Sequence, residues 1–315
     1  MRKRTSLWVL LITLFALCRA KAEHLPDIAH LLKSASKGDI NAEFMLGLSY
    51  EFGRGVEQDF GEAARWYKKA ADSGHTGAQE HLGGLYAQGK GVTRDDRAAL
   101  NWYRRAAFEG DAEAQTNLGC MYFNGQGGLQ PDYSEAARWF GKAADQNNPF
   151  AQANLATLYL EGLGVARDPE KAGSLYLEAA KRGNWYAQVR LAWMSEHGVG
   201  RPQDLTETLK WDRMAAQDGY PAALNNLGYL YEHGLGVAKD FPQAAKLYCE
   251  AAHARQPEAG HNWAVLQLKI KGLPDDCSEA ARWIAQSGQE LGNAAESVEA
   301  GSKRPVDNST IAEKH

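Results

Sequence analysis

From residue 42 onward one pattern returns every 36 residues, and a chain that repeats itself at this interval has few folds open to it. The pattern is a small residue, then Leu-Gly-x-x-Tyr, then Gly-x-Gly, then paired alanines ahead of an aromatic couple. It first reads Ala42, Leu46, Gly47, Tyr50, Gly53, Gly55, Ala63, Ala64, Trp66, Tyr67, Ala70 and Ala71. The Leu-Gly pair returns as Leu82-Gly83, Leu118-Gly119, Leu155-Ala156, Leu191-Ala192, Leu227-Gly228 and, degraded, Trp263-Ala264. One step is 37 residues, because Gly127-Gly128 carries an extra residue. A period in this range marks a solenoid, in which each unit buries its apolar face against its neighbours.

Inside a unit the spacing is helical. Ala42, Leu46 and Tyr50 form one stripe of a helix, here termed helix A. Gly53-x-Gly55 ends it, since glycine enters the left-handed conformation of a helix C-terminus without strain. Asp59 is placed to cap a second helix, helix B, which carries Ala63, Tyr67, Ala70 and Ala71 on one face and ends at Ser73-Gly74. No strand-like run interrupts the alternation, so the expected fold class is all-α, a solenoid of helix-turn-helix repeats. The expected helix A starts lie near Ala42, Ala78, Ala114, Ala151, Ala187, Ala223 and Ala259.

A glycine inside helix A costs ~1 kcal/mol relative to alanine, so its recurrence needs a cause. Gly47, Gly83, Gly119 and Gly228 give way to Ala156, Ala192 and Ala264 at the same frame position, so smallness is required rather than positive φ. A small residue lets a helix B aromatic come close. Trp66, Trp102, Trp139 and Trp211 are expected to fill the space between the helices, as core rather than as a stacking platform. The Gly-x-Gly pairs read as turns, because a dinucleotide fingerprint needs a preceding strand and a third glycine.

The pattern Ala-x-x-x-Leu-Gly-x-x-Tyr-x-x-Gly-x-Gly-Val-x-x-Asp, followed by Ala-Ala-x-Trp-Tyr-x-x-Ala-Ala, resembles the Sel-one-like repeat (SLR), a relative of the tetratricopeptide repeat. The resemblance covers about residues 42–285. It weakens in the fifth unit, where Ser195 replaces the Tyr and Thr208-Leu209 the Ala pair, and in the seventh, where residues 269–273 erode the turn. It implies a right-handed superhelix that binds other proteins and, for exported bacterial members, work in envelope assembly, signalling or host contact. Related tetratricopeptide solenoids bind ligands in the concave groove lined by helix A. Aligned through the Leu-Gly pair, the groove positions here include Glu51, Phe52, Glu161, Trp193, Glu196, His197, Asn225, Tyr229, Glu232 and His233. Aromatics beside acids suit a partly basic protein or peptide partner; the competing reading is a solvated face with scattered glutamates.

The ends differ from the middle. Residues 1–22 carry a basic start (Arg2, Lys3, Arg4), an apolar run from Leu7 to Leu17 and the small-x-small site Ala20-Lys21-Ala22, the plan of a cleaved secretory signal. The run is about half the ~20 residues of a membrane-spanning helix, so no stable membrane insertion is expected after cleavage, and the location is periplasmic or secreted. Residues 23–41 read as an N-terminal capping helix with Leu31, Leu32 and Ala35 facing inward, 42–291 as seven repeats, and 292–315 as a disordered tail. Loss of the signal removes five basic residues and no acidic one, taking the net charge from −4 to −9. That balance argues against nucleic acid as a partner.

Of the three cysteines left, Cys120 lies in a core-forming stretch, while Cys249 and Cys277 could pair across adjacent repeats although they fall at different points of the frame. Glu196-His197-Gly198 and Glu232-His233-Gly234 recur one repeat apart. Helices packed about 10 Å apart barely let such side chains converge on one ion, so no metal and no cofactor is expected. Motifs of nucleophilic or zinc hydrolysis are absent, which favours a non-enzymatic scaffold. The alternative is an envelope or cell-wall-modifying hydrolase, β-lactamase-like; the cysteine pairs in each repeat that accompany such activity among relatives are missing. N-terminal sequencing of the exported protein should begin at Glu23; Met1 retained in a cytosolic fraction would refute the signal.

Overall fold

The computed structural model describes residues 27–254, 256–270 and Cys277. The signal at 1–22, most of the seventh repeat's second half and the tail at 292–315 lie outside the described residues. Among the described residues there are fourteen α-helices and no strand. They are α1 (Ile28–Ala35), α2 (Ile40–Phe52), α3 (Phe60–Asp72), α4 (Thr76–Gln88), α5 (Asp96–Phe108), α6 (Ala112–Asn124) and α7 (Tyr133–Asp145). There follow α8 (Pro149–Glu161), α9 (Pro169–Lys181), α10 (Trp185–His197), α11 (Leu205–Gln217), α12 (Pro221–His233), α13 (Phe241–His253) and α14 (Pro257–Lys269). From α2 on, even-numbered helices are helix A and odd-numbered ones helix B. The chain divides into two compact units, Met1–Asp132 with α1 to α6 and Tyr133–His315 with α7 to α14. Within each unit consecutive helices pack on one another.

Helix A starts two residues before each expected alanine, for a local reason. Asp39, Asp111, Asn148 and Asn184 stand just outside α2, α6, α8 and α10, and their side-chain oxygens accept the backbone N–H of Ala42, Ala114, Ala151 and Ala187 at 2.7–3.2 Å. The alanine therefore closes the first turn instead of opening the helix. Helix B begins as expected: Asp59 Oδ1 accepts from Gly61 N at 2.8 Å and from Glu62 N at 3.0 Å. Gly53, at φ 65°, ends α2 in the left-handed conformation. The second glycine of the turn serves packing as well; a Cβ on Gly91 would run into the backbone of Phe60, the first residue of the preceding helix B.

The small residue of helix A faces the tyrosine of helix B, not the tryptophan. A Cβ at Gly83 would lie 2.8 Å from Tyr103 Cδ1, one at Gly228 2.6 Å from Tyr248 Cδ1, and one at Gly47 would overlap Tyr67. Tyr67, Tyr103, Phe140, Tyr176 and Tyr248 share this frame position, and all are buried. The tryptophans divide. Trp139 and Trp211 are buried, but Trp66 and Trp102 are only half-buried, with Lys69 Nζ 4.9 Å and Arg105 Cζ 4.7 Å from their ring centres. A residue one place earlier on helix B points about 100° away, far enough to reach the rim of the core. Leu32 likewise turns outward, and Cys120 is half-buried rather than core.

Neighbouring repeats are joined by a glutamine three residues before the Leu. Gln79, Gln115, Gln152 and Gln188 are buried, and each donates Nε2 to an alanine carbonyl near the end of the preceding helix B, at 3.2–3.5 Å. Each of these carbonyls also accepts a backbone N–H three residues on, so the glutamine adds a second donor at the helix end. Tyr103→Ala should cost ~3–5 kcal/mol in denaturant unfolding and Trp102→Ala less than ~2 kcal/mol; the reverse order would mean the core aromatic is misassigned.

Candidate functional site

Polar bonds run from one helix A to the next. In the first unit Glu51, on α2, receives the hydroxyl of Tyr67 from α3 and lies 2.9 Å from His81 Nδ1 on α4. The rings of Tyr67 and His81 stack 5.0 Å apart. Asn117, on α6, donates to Glu80 Oε1 at 3.0 Å, and Glu80 lies 4.0 Å from the other nitrogen of His81. Burial raises the Glu51 carboxyl, but the bonds from His81 and Tyr67 outweigh it and hold the group below its ordinary range. The Tyr67 hydroxyl is pushed far up, first by burial and then by its bond to Glu51, so it stays a donor. Phe52 is exposed, with the Arg54 guanidinium 5.0 Å from its ring centre.

The other eight expected groove residues belong to the second unit. Trp193 and His197 stack at 4.8 Å, and Tyr229 and His233, one repeat on, stack at 4.2 Å. Each imidazole Nδ1 meets the carbonyl four residues back, Trp193 O at 2.9 Å and Tyr229 O at 3.0 Å. A carbonyl only accepts, so Nδ1 carries a proton, and in the neutral ring Nε2 is the acceptor. Glu161 sits 3.4 Å from the guanidinium of Arg190, which is buried and lies 5.3 Å from the Trp193 ring centre. Glu196 Oε2 is 3.7 Å from His197 Nδ1.

Two expected contact residues are instead internal. Asn225 is fully buried and accepts from Asn262 Nδ2 at 2.9 Å. Glu232 is 5% exposed; it accepts from Tyr248 Oη at 2.9 Å and pairs with Lys269 Nζ at 3.5 Å. Helix A turns its polar residues partly toward its neighbours, and a seventh helix A covers both of these. Sequence reasoning missed His81, Glu80, Asn117, Arg190 and Lys269. A signal existed for three: the residue just before the Leu is His81, Asn117, Asn154, Arg190, Asn226 or Asn262, polar in a stripe that is otherwise apolar.

The fifth repeat alters a rule the first and sixth obey. In those, the helix B tyrosine (Tyr67, Tyr248) donates to the glutamate 16 residues earlier (Glu51, Glu232). In the fifth the tyrosine's place is taken by Asp212, and the glutamate's by Glu196. Asp212 is fully buried and accepts from Asn226 Nδ2 at 3.3 Å. Burial lifts its carboxyl well above the usual range, and the bond from Asn226 opposes this only in part.

Chemically, this face presents imidazole acceptors, flat rings and carboxylates. The Ser195 hydroxyl is buried and directed at Glu207 Oε2 at 3.4 Å, away from any imidazole in the described contacts. The repeat itself is decided by comparison: the Sel1 repeat matches 40–75, 76–111, 112–148, 149–184, 185–220 and 221–255. This chain belongs to the Sel1 repeat family. The 37-residue member, 112–148, is the one holding Gly127-Gly128.

Two solved structures are similar along most of the chain. One is c5321, a protective antigen present in uropathogenic Escherichia coli strains and displaying an SLR fold; it is 33% identical over 86% of this chain, with a TM-score of 0.69. The match spans only 60% of that antigen. The other is a Sel1 repeat protein from Oxalobacter formigenes, 31% identical over 76% of this chain and 95% of its own, with a TM-score of 0.68. Among curated proteins no sequence matches significantly.

The Asp212 environment gives a pH signature. Its folded pKa is raised above the unfolded value of about 3.9, so the stability tied to its proton is complete below that value and is lost as pH rises toward the folded pKa. Asp212→Asn should match the parent at pH 4 and exceed it at pH 8 by ~1–3 kcal/mol in urea unfolding. A pH-independent difference would show that the Asp212 carboxyl is not raised in the fold.

Proposed function

We propose that this chain is an exported, non-enzymatic scaffold whose helix A face holds a protein or peptide partner. The observation that carries the reading is the pair of stacks Trp193–His197 and Tyr229–His233, set one repeat apart beside Glu161 and Glu196. Such spacing suits an extended peptide that presents apolar side chains to the rings, donors to the two Nε2 atoms and a basic group to the acids. Protein binding is the general use of this family's fold. Export is supported by the character of residues 1–22 and by the similarity to a chain that is a protective antigen.

Trp193→Ala with Tyr229→Ala tests the reading. The double variant should keep its far-UV circular dichroism and lose at least ~10-fold in affinity for the partner pulled from the exporting cell, since truncated contact aromatics cost over ~1 kcal/mol each. Undiminished capture would move the site off this face. Turnover of a chromogenic β-lactam or of peptidoglycan by the purified protein would favour the hydrolase instead.

A further inference from the structure

Away from the helix A face, the end of α13 gathers three metal-ligating side chains. Cys249 is bonded to Cys277 as a disulfide, the pairing the sequence left open. His253, one helical turn after Cys249, lies on the same face, with Nδ1 2.9 Å from the Cys249 carbonyl and 3.4 Å from its sulfur. The possible ligand atoms of the three residues all fall within 4.8 Å of one another. A tetrahedral zinc with sulfurs at ~2.3 Å and nitrogen at ~2.0–2.1 Å sets its ligand atoms about 3.5–3.8 Å apart. Once the S–S bond is broken, side-chain rotation can part the sulfurs to such a spacing, with the His253 ring already beside one of them.

Two further features suit a metal. The bond between Nδ1 and the Cys249 carbonyl holds the ring beside the sulfur, and a turn of the ring about χ2 offers either nitrogen to the ion. Cys249 and His253 also border a cavity of about 570 Å³, shared with Asp240, Gln243, Lys246 and Glu250, which gives entry and room for a solvent ligand in the fourth position. Cys277 is buried. The cysteines stand 28 positions apart, a spacing that matches no metal motif, so only the fold brings the set together.

We propose that Cys249, His253 and Cys277 form a redox-gated site for a thiophilic divalent cation of the Zn²⁺ class, closed as the disulfide and open when reduced. A dithiol reductant breaks the S–S bond and is itself oxidised to a disulfide; two electrons and two protons pass to the chain, giving two thiols. The cation then displaces both thiol protons, and each sulfur donates an electron pair to the metal. The site is independent of partner capture by the helix A face.

The test uses the whole exported chain, oxidised or reduced with excess thiol, then desalted without air and titrated with Co²⁺. The reduced chain should bind one Co²⁺ with an intense near-ultraviolet thiolate charge-transfer band, displaced by Zn²⁺; the oxidised chain should show no band. Cys277→Ser should abolish the band, and Cys120→Ser should leave it unchanged. His253→Ala should weaken binding by at least the ~10–100-fold that loss of an outer-shell partner costs. No band on reduction, an equal band in the oxidised chain, loss with Cys120→Ser, or undiminished affinity in His253→Ala would each overturn the proposal. So would a reduced chain that has lost helicity by circular dichroism and regains neither helicity nor the band with Co²⁺.

Discussion

Everything in this molecule hangs on one close approach, the ring of a helix B tyrosine lying on a helix A residue that has little or no side chain. At Gly83 and Gly228 even one added carbon would sit 2.6–2.8 Å from the ring. Dispersion falls steeply with distance, so bringing two helices this near multiplies the atom pairs that contribute. The glycine costs ~1 kcal/mol of helix propensity, and the burial of a whole aromatic side chain offsets it. The same tyrosines then reach through to the other side of helix A, where the hydroxyls of Tyr67 and Tyr248 hold Glu51 and Glu232. Core packing and the chemistry of the candidate face are thus set by the same side chain.

The architecture was legible because its causes are local. Helix spacing, glycine stops and aspartate caps are written into each period, and repetition averages away the noise of any one unit. What the period could not reveal was direction around the helix. Trp66 and Tyr67 are adjacent in sequence, both are large, and both recur, yet one rims the core while the other fills it. Only the neighbour across the helix pair decides between them. Asp212 shows the same limit from the other side: at the frame position of a core ring, an acid breaks the pattern and is still fully buried.

For the candidate site, the alignment placed its residues on helix A, but it did not separate the exposed ones from the covered ones. Trp193, His197, Tyr229 and His233 do form stacked pairs. Glu232 and Asn225, chosen by the same rule, are covered because the next helix A supplies Lys269 and Asn262. Contacts between residues about 37 apart cannot be read from one unit; they appear only when two units are stacked. The cysteines behave alike, since their different frame positions argued against pairing and the fold joins them.

The glutamine bond between repeats has a further consequence, for how such a chain can change length. Its donor always comes from the helix A of one unit and its acceptor from the helix B of the unit before, so both halves travel with any copy of the motif. Duplicating or deleting a whole unit in the middle of the array regenerates an identical junction and orphans no buried amide. At the ends this fails: the equivalent positions are Glu43 in the first unit and Leu224 and Gly260 in the last two, where the bond has no donor amide. Gene-level growth and shrinkage should therefore be tolerated among the central repeats, leaving the first and the last ones as fixed termini of a variable interior.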